Sequence, residues 1–274
     1  NEVEFAVSKG MEVVVVDHHT APKELPRALA ILNPHQDGCA FHGEPLCAAG
    51  VAFYLLVGTR KRLREMGYFE KAGVAEPNLG NWLDLVALAT ISDVVPLKGA
   101  NRILVRNGLK VLSQGDRPGI RALKEVAELK SNAAMTAGQV AFKLGPRINA
   151  AGRLGTAAKA VQLLLTRDQT EANNLARSLD AQNQQRRDIE TKMTREAMLQ
   201  AELQASQGYK VLVLAQEGWH AGVVGIVASR VVERLHRPTL VIALAEGQGK
   251  GSGRSIEGFH LFEALTACKE HITQ

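Results

Sequence analysis

Three polar side chains follow a run of valines in VVVVDHHT, Val13 to Thr20. Asp17, His18 and His19 can each bind a divalent metal. A neutral imidazole suits many divalent ions, and a carboxylate suits hard ones such as magnesium and manganese. In open α/β sheets, functional groups gather just beyond the carboxyl ends of strands, and these three residues fall at such an end. Adjacent side chains on an ideal strand point to opposite faces, so His18 and His19 are expected to do different work, one as a ligand and the other toward substrate. By spacing alone, a solvated loop with two incidental histidines stands beside the metal site as an equal alternative.

Four further stretches carry chemically able residues. In TISDVVPL, Asp93 ends the apolar helix WLDLVALATI. A helix C-terminus repels a carboxylate, so Asp93 wants a cation or a strong donor, although an ordinary cap acid also fits. GPRINAAGR holds Arg147, Asn149 and Arg153 in a glycine-rich segment (residues 144–155). Glycines let a loop approach a ligand closely and arginines grip phosphate in bidentate fashion, but surface arginines are common. GKGSGRS reads as a glycine-rich loop whose amides form an anion nest, with Ser252, Arg254 and Ser255 adding donors. Its order is not that of a Walker A loop, which argues against a nucleotide triphosphatase. WHAGVVGIVASR sets Trp219 and His220 just before a helix N-terminus, a phosphate-friendly place, while Gly222 and Gly225 also fit close helix packing.

The elements that must position these residues are legible in outline. A chain of 274 residues, 46% hydrophobic, favours two domains over one. The valine run predicts a central strand of a parallel sheet, covered on both faces. Helical patterns fall at residues 48–66, 82–91, 101–113 and 119–128. Between Gly155 and Gly208 there is neither Gly nor Pro, and a break near Thr166 leaves a second helix from Asp168 to Ser206. At 1.5 Å per residue it would be about 58 Å long. Its middle, residues 181–188, is polar nearly all round, as in a helix that crosses solvent between domains or borders a wet cleft, an irregular arm being the alternative. Strand 210–215, helix 221–235, strand 238–244, loop 247–255 and helix 258–268 then form a small α/β domain. The expected architecture is therefore α/β throughout: a parallel-sheet domain (1–155), connector helices (156–207) and a smaller α/β domain (208–274).

A formal net charge of +5 permits a polyanionic partner without demanding one. With aromatics at 4%, grip on a nucleic-acid strand would rest on phosphate contacts more than on base stacking, and so weaken with salt. No apolar run reaches membrane-spanning length, and NEVEFAVSKG has no secretory pattern. Cys39, Cys47 and Cys268 lie at no metal-ligand spacing and fit free thiols in a reducing, cytoplasmic setting.

Taken in order, VVVVDHH, TISDVVPL, LGPRINAAGRLG, the long helix, WHAGVVGIVASR and GKGSGRS resemble the DHH phosphoesterase superfamily, and within it the single-strand-specific 5′→3′ DNA exonucleases, over essentially the whole chain. The resemblance implies a DHH domain holding two divalent cations, manganese first and magnesium second, and a DHHA1 domain gripping nucleic acid. It implies that His18 binds metal, that Asp17 supports and orients it, and that His19 faces the scissile phosphate. Asp93 would be the last metal-binding acid. Arg153, with Arg147 and Asn149, would hold backbone phosphates. Ser252 and Arg254 would help hold the 5′-terminal phosphate, with Ser255 among the substrate-binding residues and His220 near the strand.

The implied reaction is two-metal hydrolysis of phosphodiester bonds in single-stranded DNA from the 5′ end, in DNA repair and recombination. A helicase and a single-strand-binding protein are the candidate protein partners, and no membrane is involved. Family members carry a DxDxxG-type motif and a further metal-binding Asp ahead of the matching segment, and an OB-fold after it. None of these is in this sequence, so the chain alone is expected to lack part of the metal's ligands and to be inactive. Two alternatives stand: a DHH phosphodiesterase for short oligonucleotides or cyclic dinucleotides, and a catalytically incomplete nucleic-acid-binding fragment.

Overall fold

The computed structural model describes residues 2–41, 45–130 and 133–271. In chain order the elements are α1 (Glu2–Ser8), β1 (Val14–Val16), β2 (Ala30–Leu32), α2 (Ala48–Glu65), α3 (Tyr68–Ala72), a 3-10 turn (Leu79–Trp82), α4 (Leu83–Ser92), α5 (Gly99–Gln114) and α6 (Pro118–Val126). Next come α7 (Ala137–Gln139), a π-helical turn (Val140–Leu144), α8 (Gly145–Leu154), α9 (Ala158–Leu165), α10 (Gln169–Ser206), β3 (Leu212–Glu217), α11 (Val224–Leu235), β4 (Thr239–Ala245), β5 (Gln248–Arg254) and α12 (Leu261–Ala267). The chain divides into two compact units, Asn1–Asn149 with Ala160–Arg177, and Ala150–Lys159 with Ser178–Gln274.

In the first unit, β1 pairs in parallel with β2, Val15 opposite Ile31. The expected interior strand is a correction. Val14 is exposed and Val15 and Val16 are half-buried, because among the described residues β2 is the one strand bonded to β1. The core of this unit is helical. α4 is apolar on nearly every side and buries Val86, Ala87, Leu88 and Ile91. It packs on α5 at Gly108, where a Cβ would collide with the Leu83 carbonyl. Asp84, on the buried first turn of α4, is paired with Arg117 Nε at 2.6 Å, so its charge is not left alone in the core.

In the second unit, β3 and β4 are parallel and β5 returns antiparallel along β4. α11 and the end of α10 cover one face through Met193, Ala197, Val227 and Val231 against Leu212, Leu214 and Val241. Leu214 is fully buried, and truncating it to Ala would cost about 2–5 kcal/mol.

Two segments that read as glycine-rich loops are regular structure. Residues 145–154 are helix α8, with Pro146 in the first turn, where its missing N–H costs nothing. Residues 248–254 are strand β5. There Gly249, Gly251 and Gly253 alternate with Lys250, Ser252 and Arg254. The glycines lie so close to Ile242 and Leu240 of β4 that a Cβ would come within 3.0 Å of a side-chain carbon. The polar residues therefore share the opposite face.

The long helix forms as expected, α10 over Gln169–Ser206, and a third correction concerns only its middle. Its middle is two-faced: Asn183 is buried and Gln182, Arg186 and Glu190 are half-buried, while Gln184, Gln185, Arg187 and Asp188 are exposed. A polar residue is buried when it finds a polar partner, and Arg186 and Glu190 pair one turn apart. All three cysteines are free thiols, and no described helix is long and apolar enough to cross a membrane.

Candidate metal centre and phosphate-binding face

After Val16 the chain leaves the strand and turns around the Asp17 carboxylate. Asp17 Oδ1 accepts from the His18 amide at 2.7 Å, from the His19 amide at 3.3 Å and from His19 Nδ1 at 2.8 Å. This Asx-type wrap breaks the strand alternation, so the two rings do not diverge. Their centroids are 4.3 Å apart with planes inclined by 43°. The expectation of opposite faces fails for that reason. The difference in partners stands: His19 is tied to Asp17, and His18 Nδ1 lies 3.6 Å from Asp93 Oδ2. Asp17 thus orients the His19 ring, while for His18 it holds only the main chain. The His19 bond first, then the His18 amide, hold the Asp17 carboxyl below its ordinary value.

Asp93 owes its place to an abrupt helix end. Val94 N–H donates to Ile91 O and Val95 N–H to Thr90 O, both at 3.2 Å, a Schellman closure of α4. The C′ position that usually takes glycine is Val94, at φ 58° and 87% exposed. A β-branched residue is strained in that left-handed region. The closure leaves Asp93 as the C-cap, beside His18. The start of α8 presses on the same spot, since a Cβ on Gly145 would come within 2.6 Å of Ser92 Oγ. Asn149 Nδ2 reaches Ser92 O at 3.4 Å.

One residue of this centre escapes the sequence reading. Asn33, buried at the end of β2, donates through Nδ2 to His19 O at 2.9 Å and accepts the His35 amide at 2.8 Å. It fixes the backbone of the histidine pair. The Asn-Pro dipeptide marks a turn, but nothing in its spacing connects it to His19.

Side-chain atoms of Asp17, His18 and His19 lie within 4.8 Å of one another, a group able to hold a metal ion. The 3.6 Å between His18 and Asp93 is less than twice a ligand bond of about 2.1 Å, so one small cation can touch both. The carboxylate suits manganese or magnesium, and an imidazole donor favours the less hard of the two, manganese. The residues present fit such an ion.

The remaining expected residues fall into two groups. In the first unit, the Arg147 guanidinium donates to Val126 O at 3.1 Å and to Lys143 O at 2.6 Å, which ties the end of α6 to α8. In the second unit, Arg153 Nη1 donates to Gly222 O at 3.3 Å, and Arg254 Nη1 to Ser252 Oγ at 3.1 Å. A Cβ on Gly225 would stand 3.1 Å from Ser252 Oγ and 3.2 Å from Arg254 Nη2. The start of α11 therefore lies against Arg153 at Gly222 and against the Ser252–Arg254 pair at Gly225. His220 Nδ1 accepts the Gly222 amide at 3.0 Å, which leaves its proton on Nε2. Ser255 Oγ donates to Phe259 O at 2.7 Å and closes a local turn. Partial burial first, then the charges of Arg186 and Arg254, press the Arg153 guanidinium below its ordinary value.

With this geometry in hand, the class is defined domain by domain. Residues 1–90 match the DHH family N-terminal domain and residues 208–271 match the DHHA1 domain. The particular proteins it is similar to are single-stranded-DNA-specific exonucleases named RecJ. The chain is 50% identical to that of Dickeya dadantii (strain 3937) over 96% of its own length and 46% of the relative's. It is 47% identical to that of Escherichia coli (strain K12), with the same coverage. The chain thus spans somewhat less than half the length of these relatives. A crystal structure of RecJ in complex with Mn2+ from Thermus thermophilus superposes with a TM-score of 0.82 at 37% identity, covering 100% of this chain and 38% of that one.

Proposed function

We propose that this chain forms the catalytic and strand-gripping part of a metal-dependent exonuclease that hydrolyses single-stranded DNA from its 5′ end, in repair and recombination. The observation that carries the reading is His18 facing Asp93, with Asp17 and His19 alongside, in a chain half identical to single-strand exonucleases. His18 and Asp93 would hold the cation, manganese first and magnesium second. When bound, it neutralises charge on the phosphoryl oxygens and activates water.

The protein's own side chains supply positioning. Asp17 holds the His19 ring through Nδ1 and leaves Nε2, on a largely exposed side chain, to face the scissile phosphate. Arg153, Ser252 and Arg254 would hold strand phosphates, the last two the 5′-terminal one, with His220 Nε2 near the strand. Asn149 would stand near the phosphate next to Asp93. Arg147, through Nη1 and Nη2, and Ser255, through Oγ, donate to main-chain carbonyls and would position the segments that carry the others. A cytoplasmic setting and recruitment by a helicase or a single-strand-binding protein belong to the same reading.

The test is a graft. This chain replaces the matching stretch of the Escherichia coli relative, and manganese-dependent release of nucleotides is followed from 5′-phosphorylated single strands, duplexes and a dinucleotide. The reading expects degradation of the long single strand, lost in His18→Ala and Asp93→Ala. Degradation of the dinucleotide alone, or activity indifferent to both substitutions, would contradict it.

A further inference from the structure

On the second unit, the polar middle of α10 brings one more arginine to the guanidinium group at the start of α11. Arg186 is nearly buried, with a side-chain exposure of 12%, and its Nη1 is ion-paired with Glu190. Glu190, 15% exposed, also takes Arg230 Nε of α11 at 3.5 Å. Arg230 has the exposed Glu233 at 3.3 Å as a second partner. Arg153 and Arg254 meet no carboxylate within ion-pair distance among the described residues. Arginines 153, 186, 230 and 254 thus share one half-buried carboxylate and one exposed one, a local excess of positive charge.

The pair with Glu190 leaves part of the Arg186 fork under-used. Its Nε is buried without a protein partner, and its Nη2 reaches Asn183 Oδ1 at a long 3.3 Å. A planar fork with under-used donors, beside other guanidinium groups, is matched to a tetrahedral oxyanion.

We propose that Arg186 is a phosphate-contacting residue, the third guanidinium of an anion cradle with Arg153 and Arg254, and that Glu190 is the positioning residue that fixes its fork. The ligand class is a nucleic-acid phosphate. Arg153's guanidinium is held below its ordinary value by burial first and then by the charges of Arg186 and Arg254, and an entering phosphate relieves that smaller, repulsive part. The proposal rests on the reading of this unit as a phosphate-gripping surface and adds a residue to it.

The experiment is binding of a short 5′-phosphorylated single-stranded oligonucleotide to the 274-residue chain by fluorescence anisotropy across a salt series, with melting temperature as the folding control. Arg186→Gln is expected to weaken binding about tenfold and to flatten the salt dependence by about 0.7, one single-strand phosphate's worth. Arg153→Gln and Arg254→Gln serve as references. If both references weaken binding and Arg186→Gln leaves affinity and slope unchanged, Arg186 is outside the cradle and the proposal falls alone. If the parent chain does not bind, or none of the three variants matters, the phosphate-gripping reading falls with it. Should Arg186→Gln fail to fold, Arg186→Lys is expected to keep the slope and lose affinity several-fold, and parent affinity there overturns the proposal.

Discussion

His18 Nδ1 and Asp93 Oδ2 stand 3.6 Å apart, one just past strand β1 and the other capping helix α4. Neither group is built to meet the other locally. The wrap of the chain around Asp17 aims His18, and the Schellman closure at Val94 aims Asp93. The juxtaposition is therefore a product of two separate local structures, each of which can be perturbed by itself.

Asn33 is the tie on the first of these. Asn33→Ala leaves His19 O without its side-chain donor and the His35 amide without its acceptor. The expected cost is about 1–3 kcal/mol of stability, read from denaturant unfolding. Loss of this outer support should also weaken metal binding about tenfold or more, read by calorimetry. Asn33→Asp keeps the acceptor and loses the donor, so it should retain part of the stability and little of the metal affinity.

Val94 is the strain in the second. Val94→Gly relieves the left-handed backbone at the cost of a freer unfolded chain, and should raise stability by up to ~1 kcal/mol. Val94→Ile keeps the strain and should leave the melting temperature near that of the parent. A fall in stability for the glycine variant would mean that the exposed valine makes contacts the strain argument omits.

Asp17 carries a pH signature. Its folded value is depressed below 3.8 by the His19 bond and the His18 amide, so its stabilising contribution is present above 3.8 and disappears as pH falls through the lower, folded value. Carboxyl NMR should find the Asp17 midpoint below 3.8, and His19→Ala should move it upward, because the first of those supports is gone. An unchanged midpoint would place the cause elsewhere.

The two glycines at the start of α11 should part company. A methyl on Gly222 meets the Arg153 carbonyl, which is main chain and cannot step aside, so Gly222→Ala should cost about 1–3 kcal/mol. A methyl on Gly225 meets the ends of Ser252 and Arg254, which can move. Gly225→Ala should fold well and change oligonucleotide affinity, read by anisotropy.

Much of this is legible in the sequence. Asp-His-His after a valine run, an acid after an apolar helix and the long Gly- and Pro-free stretch point to the candidate metal residues, α4 and α10. Order along the chain does what spacing cannot. Two of the features the sequence hides share a cause, the reading of glycine as a loop former. In GKGSGR the glycines alternate strictly with polar residues, which is a strand's period, and they are small because Leu240 and Ile242 of β4 lie against them. In GPRINAAGR they sit in a helix, and Gly145 is small because Ser92 is close. Arg186 reads as solvated because hydropathy records each residue's polarity and not its partner's. Asn33 is invisible because its contact is to main chain of a residue distant in sequence.

The central claim is that His18 and Asp93 hold one divalent cation. Manganese titrated into the purified chain, followed by calorimetry with His18→Ala, Asp93→Ala and, as a control, Asp188→Ala at an exposed acid of the second unit, tests it directly. Binding is expected for the parent and the control, weakened about tenfold or more by each of the first two substitutions. Equal manganese affinity in all four proteins would contradict it.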